Sequence, residues 1–87
     1  MYEIFFTESA KQQLRFLPDN AKLEIGSALE RIKVRPFKFV RRMRKERYYR
    51  LRTSNHRILM DIGETSLIIL VVHIGQRRNV YSKKIGK

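Results

Sequence analysis

The chain has 87 residues, so it can build one small hydrophobic core, and we predict a single domain over residues 1–87. It contains no cysteine, which excludes disulfide bonds and metal sites built from thiolates. The net charge of +12 is large for this length, and no apolar run is long enough to cross a membrane. Because the N-terminus also lacks the pattern of a secretory signal, we expect a soluble, cytoplasmic protein.

The positive charge is concentrated in the middle of the sequence. Residues 31–57 hold twelve Lys and Arg against one acid, Glu46, which gives this block a net charge of +11. The flanking segments, residues 1–30 and 58–87, carry net charges of −2 and +3. A block this dense repels itself unless a polyanion or an acidic partner neutralises it. Because no apolar helical face accompanies these charges, nucleic acid is a better candidate partner than a membrane surface.

The first predicted element is an aromatic-rich strand, YEIFFT, at residues 2–7. Thr7 is then placed to cap a helix, because its hydroxyl can accept a hydrogen bond from a backbone N–H of the first turn. We expect this helix to end at Pro18. Its apolar residues fall at spacings of four and three, which places them on one stripe: Ala10, Leu14 and Leu17.

A second predicted helix follows after a very short turn. Asp19 or Asn20 is expected to cap it, and Pro36 is expected to close it. Gly26 within this helix indicates a close approach to another helix. The apolar stripe of the helix comprises Ile25, Ala28, Leu29 and Ile32. Two helices joined so closely are expected to run antiparallel, as a helical hairpin.

The last part of the sequence alternates like a β-meander. We predict strands over residues 48–53, 56–62 and 66–74, separated by turns at 54–55 and 63–65. The last strand is apolar on both of its faces and should therefore be the best buried. A helical hairpin that covers one face of a mostly antiparallel sheet is an α+β fold.

Alternation along the first meander strand divides its side chains between two faces of the sheet. Tyr49 and Leu51 point one way, whereas Arg50 and Arg52 point the other way. Leu51 and Met60, which belongs to the next strand, are the predicted core residues of this hairpin. The cations are therefore expected to gather on the face that the helices do not cover.

Metal-dependent chemistry has little support in the sequence. The second half contains three acids, Glu46, Asp61 and Glu64, and two histidines, His56 and His73, and none lies at a recognised metal-ligand spacing. A two-metal nuclease needs convergent carboxylates, and a nucleotide-binding enzyme needs a glycine-rich phosphate loop. We therefore expect neither a metal nor another cofactor. RNA can still be cleaved, because it carries its own nucleophile, the 2′-OH.

Cleavage by the 2′-OH requires in-line geometry, two proton transfers and stabilisation of a pentavalent phosphorane. Arginine serves the last purpose, because its planar fork donates two hydrogen bonds to phosphate oxygens. Tyr81 and His56 are the candidates for moving protons. The other interpretation of His56 is a solvent-facing turn residue, and that of His73 is a buried core histidine. Of Tyr48 and Tyr49, we expect one ring in the core and the other on the surface.

Three segments carry a resemblance to a known family. They are the opening YEIFFTESAKQQLRFLP, the hairpin YYRLRTSNHRILMDI and the terminal LVVHIGQRRNVY. The most specific part is the pattern R-x-R…x-H-R-I-L followed by I-G-x-R-x-x-x-Y, because both of these motifs match and so does the number of residues between them. On these segments, which span almost the whole chain, the sequence resembles the RelE/ParE toxin superfamily, and in particular the RelE-type messenger-RNA interferases.

The resemblance implies a RelE-like fold and a toxin of a type II toxin–antitoxin system, held in a hetero-oligomer by a RelB-type antitoxin. It also implies metal-independent cleavage of messenger RNA in the A site of the small ribosomal subunit. Carried over by position, it assigns Arg50 to the central strand base and Arg57 to the transition-state arginine. Arg77 matches the arginine after the glycine, and Tyr81 matches the terminal tyrosine. The family position two residues before Arg50, often a lysine, is Tyr48 here, a further candidate for proton transfer.

The other basic residues are expected to contact RNA phosphates rather than to react. This set comprises Arg41, Arg42, Arg44, Lys45, Arg47, Arg52, Arg78, Lys83 and Lys84. Two other functions remain open. A ParE-type poison of DNA gyrase shares the fold, although that branch tends to lack the full set of active-site residues. A non-catalytic RNA-binding module that blocks translation is the second.

Overall fold

The computed structural model describes residues 1–76. The elements, in chain order, are β1 (Glu3–Phe6), α1 (Glu8–Arg15), α2 (Asp19–Ile32), α3 (Pro36–Phe39), β2 (Arg41–Arg42), β3 (Tyr49–Arg52), β4 (His56–Gly63) and β5 (Ile68–Gln76). No helix within this range is long and apolar enough to span a membrane.

The five strands form one mixed sheet in the order β1-β5-β4-β3-β2. The meander pairs antiparallel, as predicted, while β1 pairs in parallel with β5. A parallel pair requires a long crossover, and here α1, α2 and α3 lie in the chain between the two strands. The predicted α+β fold, with an N-terminal strand, helices and then a meander, is confirmed.

The hydrophobic core lies between the helices and one face of the sheet. Leu51 and Met60 are 5% and 0% exposed, which confirms both as core residues. The whole predicted stripe of α2 is buried: Ile25, Ala28, Leu29 and Ile32. Against it lie Ile58, Ile62, Ile69, Val71 and Ile74. Burial of each large side chain is worth about 1.5–3 kcal/mol relative to exposure, so this one-sided contact orients the sheet.

The helix ends agree with the sequence at one position and differ at two. The Thr7 hydroxyl accepts a hydrogen bond from the Ala10 backbone N–H at 3.1 Å, so the predicted cap of α1 is confirmed. The predicted cap of α2 is wrong, because its N-cap is Pro18 and no side chain caps it. Pro36 does not close α2, which ends at Ile32, but opens α3, where the fixed φ of proline suits a first helical turn.

Two expectations about packing are also wrong. Gly26 does not mark a close helix contact, since a Cβ there would find no atom within 4 Å. β5 is not buried on both faces: Ile69, Val71 and Ile74 are buried, whereas Ile68 is 37% exposed. The physical reason is that the described helices contribute to a core on one face of the sheet only, so no helix within residues 1–76 buries the other face.

Candidate nucleic-acid interface

The face of the sheet opposite the core, which we term the open face, gathers cationic side chains from β2, β3 and β4. Cross-strand pairing aligns them in two rows, because paired residues point to the same side of a sheet. The first row runs Arg41, Arg50, Leu59, His73, and the second runs Arg52, Arg57, Gly75. Leu51 and Ile58, which lie between the rows in sequence, point into the core.

Arg50 and Arg57 are the least exposed of the arginines on the open face. Both side chains are half-buried, and the Nε atom of each is buried without a hydrogen-bond partner among residues 1–76. A buried donor left without an acceptor costs about 1–3 kcal/mol. An anionic ligand that reaches these nitrogens recovers that cost, so the two guanidinium groups are suited to binding phosphate oxygens.

Like charges face each other on this surface. Arg41 lies directly opposite Arg50, and Arg52 lies directly opposite Arg57. Directly opposed like charges destabilise a β-sheet, typically by a few tenths of a kcal/mol to about 1 kcal/mol per pair. Four arginines on neighbouring strands therefore favour a bound polyanion over a bare sheet.

A β-bulge decides which residues of β5 reach the open face. Leu59 pairs with His73 and Met60 pairs with Val71, which leaves Val72 without a partner and shifts the alternation by one residue. Ile74 consequently points into the core and His73 points out. The expectation that His73 is a core histidine is wrong for this reason, because its ring is exposed.

A shallow cavity of about 270 Å³ lies at this end of the open face. Its described lining consists of Arg57, Leu59, His73, Gly75 and Gln76. Because Gly75 stands directly opposite Arg57 and has no side chain, the cavity leaves space beside the guanidinium. The sequence analysis predicted Arg57 as a site residue but did not predict His73. The only feature of the sequence that points to His73 is that it is a polar residue within the apolar run of residues 67–74.

His56 lies on the other side of the sheet from Arg57. Its side chain is 4% exposed on the core face, and neither ring nitrogen has a hydrogen-bond partner among the described residues. The solvent-facing position expected for His56 is therefore wrong, and the ring does not reach the open face. The strand alternation explains this, since His56 shares a face with Ile58 and Met60.

Glu24 of α2 holds the β3–β4 turn. Its Oε2 accepts hydrogen bonds from the Ser54 hydroxyl and from the Ser54 backbone N–H, the latter at 2.9 Å. The Ser54 hydroxyl, then the Ser54 N–H and, more weakly, the charge of nearby His56 lower the pKa of Glu24 below its ordinary value. This contact ties the turn between Arg52 and Arg57 to the helical layer.

The two adjacent tyrosines, Tyr48 and Tyr49, are both half-buried but have different neighbours. Tyr49 packs against the core and makes an edge-on contact with Phe37, with ring centroids 5.3 Å apart. Tyr48 lies beside the guanidinium of Arg47, whose carbon is 5.7 Å from the ring centroid. Arg47 also donates to Asp61 Oδ2 at 2.9 Å, so its charge is partly neutralised within the fold.

The remaining predicted RNA contacts are distributed unevenly. The exposed residues Arg41, Arg42, Arg44 and Lys45 lie on or beside β2, although Arg42 stacks over Tyr49 at 5.7 Å and so faces the helical side. Five predicted residues lie outside the described range: Arg77, Arg78, Tyr81, Lys83 and Lys84. Among residues 1–76, no group of three or more His, Asp or Glu could hold a metal ion.

Solved structures share this fold at low sequence identity. The RelBE2 toxin–antitoxin complex from Mycobacterium tuberculosis matches with a TM-score of 0.81 and 20% identity, covering 87% of this chain and 98% of that one. The isolated E. coli RelE toxin matches with a TM-score of 0.77 and 18% identity, over 99% and 97% of the two chains. A YoeB/ParE toxin from Agrobacterium tumefaciens gives 0.75 and 16%, over 88% and 99%. These likenesses establish the fold.

Sequence comparison identifies the family. No curated protein sequence matches the chain. The family described as "ParE toxin of type II toxin-antitoxin system, parDE" matches residues 4–81, which is nearly the full length and overlaps every strand that the structure describes. The chain therefore belongs to the ParE toxin family, within the RelE/ParE superfamily, and is a toxin of a type II toxin–antitoxin system.

Proposed function

We propose that this toxin is a ribosome-dependent endonuclease that cuts messenger RNA in the A site, without a metal, within a domain spanning residues 1–87. The observation that carries the proposal is the pair Arg50 and Arg57, on neighbouring strands of the open face, each with a buried Nε that has no partner among residues 1–76. Donors held in this way by a rigid sheet are suited to stabilising charge that develops on a phosphate.

The proposed reaction is an attack of the RNA 2′-oxygen on the adjacent phosphorus. The 2′-O–P bond forms, the P–O5′ bond breaks, and the products are a 2′,3′-cyclic phosphate and a free 5′-hydroxyl. The 2′-OH loses its proton to a base, and the leaving 5′-oxygen takes one up. Arg57 and Arg77 stabilise the phosphorane, Arg50 orients the phosphate, and Tyr81 moves a proton, with Tyr48 as a second candidate for proton transfer.

The exposed cations around β2 have a different role in this proposal. Arg41, Arg44 and Lys45 are exposed. For each phosphate that such a residue neutralises on single-stranded RNA, the plot of log binding constant against log salt concentration becomes steeper by about 0.7. Such contacts hold the toxin on ribosomal RNA and carry no sequence information.

The proposal is tested by adding the toxin to programmed ribosomes and mapping the 5′ ends of the message. We expect cuts within the A-site codon, and we expect Arg57→Ala to lower the rate by about 100-fold or more, the typical cost of removing a charge-stabilising donor. Arg31→Ala is the matched control, because it removes an equal, exposed charge from α2. Cuts outside the A-site codon, or an Arg57→Ala variant as active as the parent, would contradict the proposal.

Poisoning of DNA gyrase is the second candidate function, and the match to the ParE family over residues 4–81 favours it. Under this alternative, the purified toxin inhibits gyrase-catalysed supercoiling and leaves messages intact on ribosomes. If Arg57→Ala arrests translation as well as the parent and neither cuts the message, the non-catalytic translation blocker is the correct function instead.

We also propose a RelB-type antitoxin as the partner, since several matched structures are toxin–antitoxin complexes. An apolar groove of about 660 Å³ runs between β1 and α2, past Phe5, which is 49% exposed, and Gly26. β1 is an edge strand of the described sheet, and no other strand within residues 1–76 pairs with its outer side, so that side is suited to binding an added segment. Co-purification with the co-expressed antitoxin measures this contact, and undiminished binding by Phe5→Glu would contradict it.

A further inference from the structure

The side chain of Gln13 connects α1 to the exposed end of β5. Gln13 is half-buried, and its Oε1 accepts a hydrogen bond from the Ile74 backbone N–H at 2.7 Å. Its Nε2 lies 3.1 Å from Nδ1 of His73. A backbone N–H can only donate, so the oxygen of the amide must face Ile74 and the NH₂ group must face the imidazole. The orientation of the Gln13 amide is thus fixed by the strand.

This orientation selects one tautomer of His73. The NH₂ group of Gln13 has only hydrogens to offer, so Nδ1 of His73 must present its lone pair as the acceptor. In the neutral ring the hydrogen then resides on Nε2. His73 therefore carries an N–H donor at Nε2. The hydrogen bond from Gln13 to Nδ1, on the opposite side of the ring, fixes the direction of this donor, just as an outer hydrogen-bond partner orients a metal-binding histidine.

Gly75 leaves the room that the imidazole occupies. A Cβ at position 75 would lie 2.9 Å from His73 Nε2, which is closer than real Cβ contacts allow. Gly75 pairs with Arg57 across the sheet, and His73, Gly75 and Arg57 line the same cavity of about 270 Å³. The Nε2–H of His73 and the guanidinium of Arg57 are therefore diagonal neighbours on the open face.

We propose that His73 is a phosphate-binding residue that acts beside Arg57, and that Gln13 is the positioning residue that fixes its donor. The proposal rests on the proposed function for the identity of the ligand, a phosphodiester of single-stranded RNA. Arg57 donates to one non-bridging oxygen and His73 Nε2–H donates to the other. His73 transfers no proton in this role, so the reaction keeps the proton donors and acceptors given above.

The tautomer is tested by recording the ring ¹⁵N resonances of His73, which separate a protonated nitrogen from an unprotonated one. We expect Nε2–H with an unprotonated Nδ1 in the parent at neutral pH, and a mixture of tautomers in Gln13→Ala. Gln12→Ala is the matched control, because Gln12 is the exposed neighbour on the same helix. A parent ring with its hydrogen on Nδ1, or a Gln13→Ala spectrum equal to that of the parent, would overturn the role of Gln13.

Phosphate binding is tested with a short single-stranded DNA, which lacks the 2′-OH and cannot be cut by the proposed reaction. We expect His73→Phe, which keeps a ring and removes the donor, to weaken binding about tenfold, the typical effect of one hydrogen bond to a charged group. His73→Gln keeps an N–H donor and should remain within about threefold of the parent. Equal binding by the parent and His73→Phe would overturn the proposal, provided that thermal melting shows both to be folded.

Gly75→Ala is a second variant, and it keeps the histidine at position 73. The added methyl group pushes the imidazole away from Gly75 and fills part of the cavity beside Arg57, so we expect a loss of DNA binding at least as large as in His73→Phe. These assays measure binding only. A toxin that binds DNA through His73 but cuts no message on ribosomes would refute the proposed nuclease function and leave the His73 assignment intact.

Discussion

At the scale of single residues, the adjacent side chains of His56 and Arg57 lie on opposite faces of the sheet. His56 is buried against the core, whereas Arg57, the next residue, stands on the open face with an unpartnered Nε among the described residues. Glu24 reaches from α2 to the turn just before them and accepts two hydrogen bonds from Ser54. This contact fixes the end of the hairpin, so the position of Arg57 depends in part on a residue of the helical layer.

Glu24→Gln is expected to reduce stability in a pH-dependent way. Hydrogen bonds from Ser54 lower the pKa of Glu24 in the folded state below 4.5. Its contribution is therefore complete above pH 4.5 and is lost as the pH falls through the lowered value. Because the two hydrogen bonds from Ser54 are exposed, we expect a loss of less than about 1 kcal/mol at pH 7, which disappears as the pH falls through the lowered pKa.

The measurement is the free energy of unfolding in urea of the parent and of Glu24→Gln, at several values of pH between 7 and 3. Glu64→Gln, which removes an exposed carboxylate from the β4–β5 turn, controls for the loss of one negative charge. A difference between the parent and Glu24→Gln that stays constant from pH 7 to pH 3 would contradict the role of the Ser54 contact.

At the scale of elements, β5 decides which side chains line the cavity beside Arg57. It pairs with β1 in parallel and with β4 antiparallel, and its bulge at Val72 turns His73 outward and Ile74 inward. The turn that leads into β5 contains Leu67, whose φ of 59° is the only positive value at a non-glycine residue within residues 1–76. A branched side chain in this left-handed region is strained by roughly 1 kcal/mol or more.

Leu67→Gly is expected to stabilise the protein by about 0.5–1 kcal/mol, because glycine adopts positive φ without a Cβ clash. Leu67 is 42% exposed, so little packing is lost. The thermal midpoint should rise by a few degrees for a domain of this size. Thr65→Gly in the same turn, where φ is not positive, should instead lower the midpoint, and a Leu67→Gly variant less stable than the parent would refute the expectation.

At the scale of the whole molecule, charge opposes the fold. The net charge is +12, and the +11 block at residues 31–57 supplies the arginines that face each other across β2, β3 and β4. The core that resists this repulsion lies on one side of a five-stranded sheet. The molecule thus holds a cationic face in place at a cost in stability that a polyanion or an acidic partner relieves.

Stability is therefore expected to rise with ionic strength. Increasing sodium chloride from about 0.05 M to about 0.5 M shortens the screening length several-fold and weakens the repulsion, which should raise the thermal midpoint by several degrees. Arg41→Thr removes one of two directly opposed charges, so its midpoint should depend less on salt than that of the parent. An unchanged or falling midpoint in the parent would show that self-repulsion is not significant.

The sequence by itself determined the fold class, the core stripe of α2, the Thr7 cap, the cationic face and the family. The first four depend on local periodicity, on charge or on a single residue type, and the family depends on sequence motifs in three segments of the chain. The proposed roles of Arg77 and Tyr81 also come from a motif and stay predictions. Local patterns were sufficient here because a period of two or 3.6 residues specifies which side chains share a face.

The tertiary structure alone decided the pairing of β1 with β5, the contact between Glu24 and Ser54 and the reversed positions of the two histidines. Unbroken alternation places His73 with Val71 in the core, and the bulge between them reverses it. Such a bulge depends on how β5 aligns with β4 and on the acceptor that Gln13, from a distant helix, offers to Ile74. Register and long-range hydrogen bonds join segments far apart in the chain, so no local window of sequence contains them.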